Sequence, residues 1–97
     1  MLTVYKYPLE IKDRQIIEMP SYADILSVGL DPSGKLCLWA LVNTASYLWD
    51  EEIAIYGTGN PIDTNEDESL GFIGSVRDGP FMWHVFRVED RVDYEGS

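Results

Sequence analysis

The stretch Asp31-Pro32-Ser33-Gly34-Lys35-Leu36-Cys37-Leu38-Trp39-Ala40-Leu41-Val42 decides how the chain is read. From Leu36 to Val42 it is apolar on both alternating faces, as a strand covered on both sides would be. A buried helical segment gives the same run, and periodicity alone does not separate the two. The short length of the run and the turn before it favour a strand. Pro32 presets φ at the second turn position, and Gly34 accepts a positive φ. Asp24 to Leu30 read as another strand ahead of that turn, so residues 24–43 form a predicted hairpin.

The pattern continues on either side. Leu2 to Lys6 alternate and carry Val4 and Tyr5, and Pro8, which cannot donate to a ladder, ends them. Asp13 to Met19 form a second strand, with Ile16 and Ile17 β-branched, broken by Pro20 and Ser21. Downstream, Asn43 to Glu52 read as a connection, with room for one helical turn capped by Asn43 or Thr44. Ile53 to Thr58 make the next strand, closed by Gly57-Thr58-Gly59-Asn60-Pro61. Residues 62–70 are polar and acidic and read as an exposed loop. Gly71 to Arg77 and Phe81 to Glu89 form a second hairpin about Asp78-Gly79-Pro80. The expected fold is mostly β, or α+β if the short helix forms. Its architecture is a small antiparallel sandwich or a partly open barrel of six or seven strands. The expected organisation is one domain over 1–89 and a charged, fraying tail over 90–97.

The net charge is −10, and it is unevenly spread: residues 1–40 carry −1 and residues 41–97 carry −9. Such a chain repels bare nucleic acid, whose binding needs Lys and Arg to displace counterions from phosphate. It also repels anionic membrane surfaces. The charge favours a basic partner, or serves solubility alone. Cys37 is the one cysteine, which excludes an intramolecular disulfide and reads as a small buried hydrophobe in a reducing compartment. The N-terminal stretch lacks the signature of a secretory signal. The longest apolar run falls far short of the ~20 residues that span a bilayer. The expected location is cytoplasmic.

Candidate chemistry is sparse. His84, the one histidine, shares a strand face with Met82, Phe86 and Val88. It reads as a core or rim group, with a general base or ligand as the functional alternative. Ser27, Ser33, Ser46, Ser69 and Ser75 all lie outside a nucleophile elbow. Asp63, Asn65 and Asp67 match the first positions of a calcium loop, but Glu68 stands where its glycine is needed and Gly74 where its bidentate Glu is needed. Gly57-Thr58-Gly59 lacks the remaining residues of either phosphate-binding fingerprint and reads as a turn. The carboxylates fall in runs, the mark of a solvated face rather than of a hydrolytic pair. These readings point to no enzyme, no metal and no cofactor.

Tyr5-Lys6-Tyr7-Pro8-Leu9, Asp13-Arg14-Gln15, Met19-Pro20 and Ile25-Leu26-Ser27-Val28 occur in that order, followed by Leu36 to Val42. Gly57-Thr58-Gly59-Asn60-Pro61, Phe72-Ile73-Gly74 and Trp83-His84-Val85-Phe86 complete the series. On these motifs the chain resembles a family of short bacteriophage and prophage proteins with a domain of unknown function. The resemblance implies a phage origin and carries over no catalytic residue. Phage context makes a host protein, such as a defence or nucleic-acid-handling enzyme, the expected partner. Residues 62–70 and Tyr47-Leu48-Trp49-Asp50-Glu51-Glu52 lie outside the shared motifs.

The leading expectation is therefore a non-enzymatic protein-binding module that inhibits or modulates such a host protein and binds its basic surface. The expected contact residues are Tyr47, Trp49, Asp50, Glu51, Glu52, Asp63, Glu66, Asp67, Glu68, Asp90 and Asp93. Trp and Tyr are frequent interface anchors, but the plainer reading is that Tyr47 and Trp49 fold back to cap the open end of the core. An alternative is a small-molecule pocket lined by Trp39, Tyr56, Trp83 and His84. A third is a homo-oligomeric structural phage protein, paired through sheet edges and the aromatic connection.

Overall fold

The computed structural model describes residues 1–90. Seven strands form: β1 (Leu2–Pro8), β2 (Arg14–Pro20), β3 (Asp24–Leu30), β4 (Leu36–Asn43), β5 (Leu48–Gly57), β6 (Glu68–Asp78) and β7 (Phe81–Asp90). They make two antiparallel sheets, ordered β1-β4-β3 and β2-β5-β7-β6. The sheets pack face to face as a sandwich and do not close into a barrel, and no helix forms among the described residues.

The run in β4 explains the packing. Leu36, Leu38, Ala40 and Val42 point between the sheets and are buried with Met19, Ile53, Ile55, Val76 and Val85. Cys37, Trp39 and Leu41 point outward. Cys37 is nonetheless fully buried, lying between Pro8 of β1 and Gly29 of β3 in the register. Burial pushes its thiol pKa up. The hairpin turn before β4 is locked by Asp31. Its Oδ1 accepts from the Ser33 amide at 2.9 Å, the Ser33 hydroxyl at 2.6 Å and the Lys35 amide at 3.0 Å. Its Oδ2 accepts from Lys6 Nζ at 2.9 Å. Gly34 sits at φ 84°, as the turn requires.

The sheets approach most closely where β3 meets β6. A Cβ built on Gly74 would stand 2.9 Å from Val28 Cγ1, nearer than a real side chain tolerates. Only glycine fits there.

Three expectations need correction. Residues 43–52 are not a connection with a helical turn. Asn43 Oδ1 accepts from the Ala45 amide and the Asn43 carbonyl from the Ser46 amide, which closes a tight turn, and β5 starts at Leu48. Pairing with β2 draws Trp49 and Glu51 inward against Met19 and Ile17, and this tertiary match overrides the loop-like composition. The acidic loop is shorter than 62–70, because Glu68 already pairs with Asp90 in β6 and β7. Asp90 is thus a strand residue rather than part of a tail. Asp93 and the rest of the expected tail lie outside the described residues.

Candidate functional site

The four-stranded sheet forks at one end. β5 and β7 pair from Gly57↔Trp83 to Glu52↔Val88 and then part. Beyond that point β5 stays with β2 as far as Leu48↔Pro20, and β7 stays with β6 as far as Asp90↔Glu68. Continued in register, the ladder would set Glu51 against Glu89 and Asp50 against Asp90. Like charges directly opposite destabilise a ladder, so the sequence itself drives the strands apart. Arg87 spans the crotch of the fork, its Nε 2.9 Å from Glu51 Oε1. Glu51 is nearly buried, and an ionised side chain there requires such a partner.

The opening is a groove of about 770 Å³. Trp49, Asp50 and Glu51 line one wall, and Arg87, Val88, Glu89 and Asp90 the other. Tyr22 and Ala23, from the β2–β3 turn, close the third side. Tyr22 holds φ 59°, a left-handed conformation costly for a non-glycine residue. The turn is pinned by the Ser21 amide, which donates to the Tyr47 carbonyl at 2.7 Å. In that conformation the Tyr22 ring meets Trp49 at 4.7 Å between centroids, and Tyr47 meets Trp49 edge-on at 6.2 Å. Trp49 Nε1 is buried without a hydrogen-bond partner among the described residues. Among the described residues the groove therefore combines aromatic faces and four carboxylates with one guanidinium, the composition that attracts a cation.

The structure places the expected contact residues in two groups. Tyr47, Trp49, Asp50, Glu51 and Asp90 gather at or beside the fork. Glu52, Asp63 and Glu68 instead surround Arg14 on the outer face of the same sheet. Arg14 reaches Glu68 at 2.9 and 3.1 Å, the Asp63 carbonyl at 2.8 Å and Glu52 at 3.3 Å. Glu68 foremost, then Tyr56 and Glu52, raise the pKa of the guanidinium, and Arg14 in turn holds Glu68 below the usual carboxylate range. Part of the acidic segment is thus a clamp whose charge Arg14 partly neutralises. Glu66 and Asp67 are exposed on the loop beside it. Among the described residues no His, Cys, Asp and Glu group has the makings of a metal site.

The four residues of the expected pocket do not come together. Trp39 lies on the outer face of the three-stranded sheet, Trp83 faces the core, and Tyr56 and His84 pair side by side on the outer face of the other sheet. His84 is bracketed by hydroxyls, Thr58 Oγ1 at 2.7 Å from Nε2 and Ser75 Oγ at 2.7 Å from Nδ1. The sequence reading missed Tyr22 and Arg87. Arg87 had a legible signal: it continues the Trp83 and Val85 face, so a cation was due to meet the core and need an acidic partner. Tyr22 had none, because its position depends on the turn geometry.

Among the described residues no helix is long and apolar enough to cross a membrane. No curated protein and no solved structure matches the chain. One family model matches, over residues 1–95, and on that match the chain belongs to the family described as Domain of unknown function (DUF7352).

Proposed function

We propose that this protein is a non-enzymatic, phage-encoded protein-binding module that acts in the cytoplasm of a bacterial host. It docks on a basic surface of a host protein engaged in defence or nucleic-acid handling, and inhibits or modulates it. The fork supports the docking part of this reading: among the described residues, Asp50, Glu51, Glu89 and Asp90 face one groove with Trp49 and Tyr22, and Arg87 is the cation that lines it. Phage origin and host target rest on the motif resemblance. Electrostatic complementarity of this kind chiefly speeds encounter and selects partners. Affinity capture from infected cells is expected to yield a basic partner at about 0.05 M salt and to lose most of it at about 0.5 M, where the Debye length falls below the reach of a surface contact. An Asp50→Asn/Asp90→Asn variant, altered at two exposed positions, is expected to lose the same partner. A partner retained equally at both salt concentrations and by the variant overturns the reading.

One observation favours a second reading, a homo-oligomeric structural phage protein. The outer face of the three-stranded sheet exposes Leu2, Val4 and Leu26 beside half-buried Trp39 and Leu41, and contiguous apolar patches mark interaction sites. Light scattering that gives a dimer or larger assembly at micromolar protein supports it, and a monomer removes it.

A further inference from the structure

We infer that the fork between β5 and β7 accepts an extended peptide segment carrying two adjacent basic residues, the inference resting on the binding role proposed above. Backbone pairing supplies the first argument. Trp49, Asp50 and Glu51 pair with β2 alone, and Glu89 and Asp90 with β6 alone. Each arm of the fork therefore turns one strand edge toward the groove. An unpaired edge is a template for an incoming strand, which gains affinity from main-chain hydrogen bonds and specificity from alternate side chains.

Side-chain placement supplies the second. Successive residues of a strand point to opposite faces. Trp49, Glu51 and Glu89 share the core-side face of the sheet, and Asp50 and Asp90 its outer face, as their register with Ile17, Met19 and Val88 requires. Acids thus stand on both faces of the groove. Among the described residues, no cation pairs with Asp50, Glu89 or Asp90. A strand laid along β5 with basic residues at consecutive positions sends one cation to each face. The inner cation meets Glu89 and the Trp49 and Tyr22 rings, a cation–π setting that suits Arg best. The outer cation meets Asp50 and Asp90. Two basic residues spaced by one would both fall on a single face and leave the other acids unmatched. Arg87 already neutralises Glu51, so the nearly buried carboxylate needs nothing from the ligand.

The test is a titration of the isotope-labelled protein with capped octapeptides of Thr and Val, followed by the amide resonances. The first peptide carries an adjacent Arg pair, the second two Arg residues spaced by one, and the third an adjacent citrulline pair. The adjacent pair is expected to shift amides at 48–51 and 88–90. The spaced pair should bind roughly tenfold more weakly, the scale of one charge-assisted hydrogen bond. The citrulline peptide should not bind measurably. Asp50→Asn/Asp90→Asn, whose fold the same spectra verify, should erase the difference between the adjacent and spaced peptides. Shifts confined to residues 63–68 overturn the fork and leave the basic-partner reading standing. Equal affinity for the Arg and citrulline peptides overturns both. Equal affinity for the adjacent and spaced pairs overturns the two-face geometry.

Discussion

Leu38→Ala is expected to destabilise the fold by about 2–5 kcal/mol, the range for truncating a fully buried aliphatic side chain. Leu38 is wholly buried at the middle of β4, where it faces the core between Tyr7 of β1 and Val28 of β3. Its removal opens a void where the three-stranded sheet rests on Ile53, Ile55 and Val85. A domain of this length holds net stability on the order of 5–15 kcal/mol, so the variant sits near the edge of folding. Urea denaturation should show a lower midpoint at an unchanged slope. Leu41→Ala is the control: Leu41 is half-buried on the opposite face of the same strand and should cost much less. Equal losses for the two would mean that β4 does not distinguish an inner from an outer face.

That distinction was written into the chain only in part. Leu36 to Val42 announced a strand covered on both sides, and the structure puts a sheet on one side and a local lid on the other. The lid is local chemistry, Pro8 and Gly29 flanking Cys37 and the Trp39 ring lying over Gly29 at 3.8 Å from where its Cβ would be. Both hairpins were legible because Asp31-Pro32-Ser33-Gly34 and Asp78-Gly79-Pro80 carry their own turn chemistry. The start of β5 was not legible. Tyr47 to Glu52 has the composition of a loop, and it becomes strand because β2 offers a partner and the core takes every second residue. Nor could sequence alone reveal the fork. It follows from a register that sets acid against acid, and register is a property of two strands together. Seven of the acids after residue 40 likewise separate in space, Asp50, Glu51, Glu89 and Asp90 at the groove and Glu52, Asp63 and Glu68 around Arg14.

The clamp yields the second large effect. Arg14→Gln is expected to lower the melting temperature on the order of 5 °C at neutral pH, the shift that accompanies about 1 kcal/mol in a domain of this size. Solvent reaches all three charged side chains and keeps the loss from being larger. Without the guanidinium, Glu52 and Glu68 are left as neighbouring like charges with no cation between them from Arg14, and the 58–67 connection loses the tie from Arg14 to the Asp63 carbonyl. The pH dependence separates charge from packing. Arg14 depresses the pKa of Glu68 in the folded protein. Such a group contributes stability above its ordinary value, near 4.3, and loses that contribution as pH falls through its lowered value. The gap in melting temperature between the wild type and Arg14→Gln should therefore narrow as pH drops from about 7 to about 3. In the variant, protonation relieves the repulsion instead, which narrows the gap from the other side. The Asp31 carboxylate, held well below its usual range by Ser33, Lys6 and the Lys35 amide, loses its contribution in both proteins and cancels. Arg14→Lys should recover only part of the loss, because one ammonium cannot reproduce a fork that reaches two carboxylates and a carbonyl. A gap that stays constant across this range would assign Arg14 a packing role, with its charge irrelevant to the hold on the acidic loop.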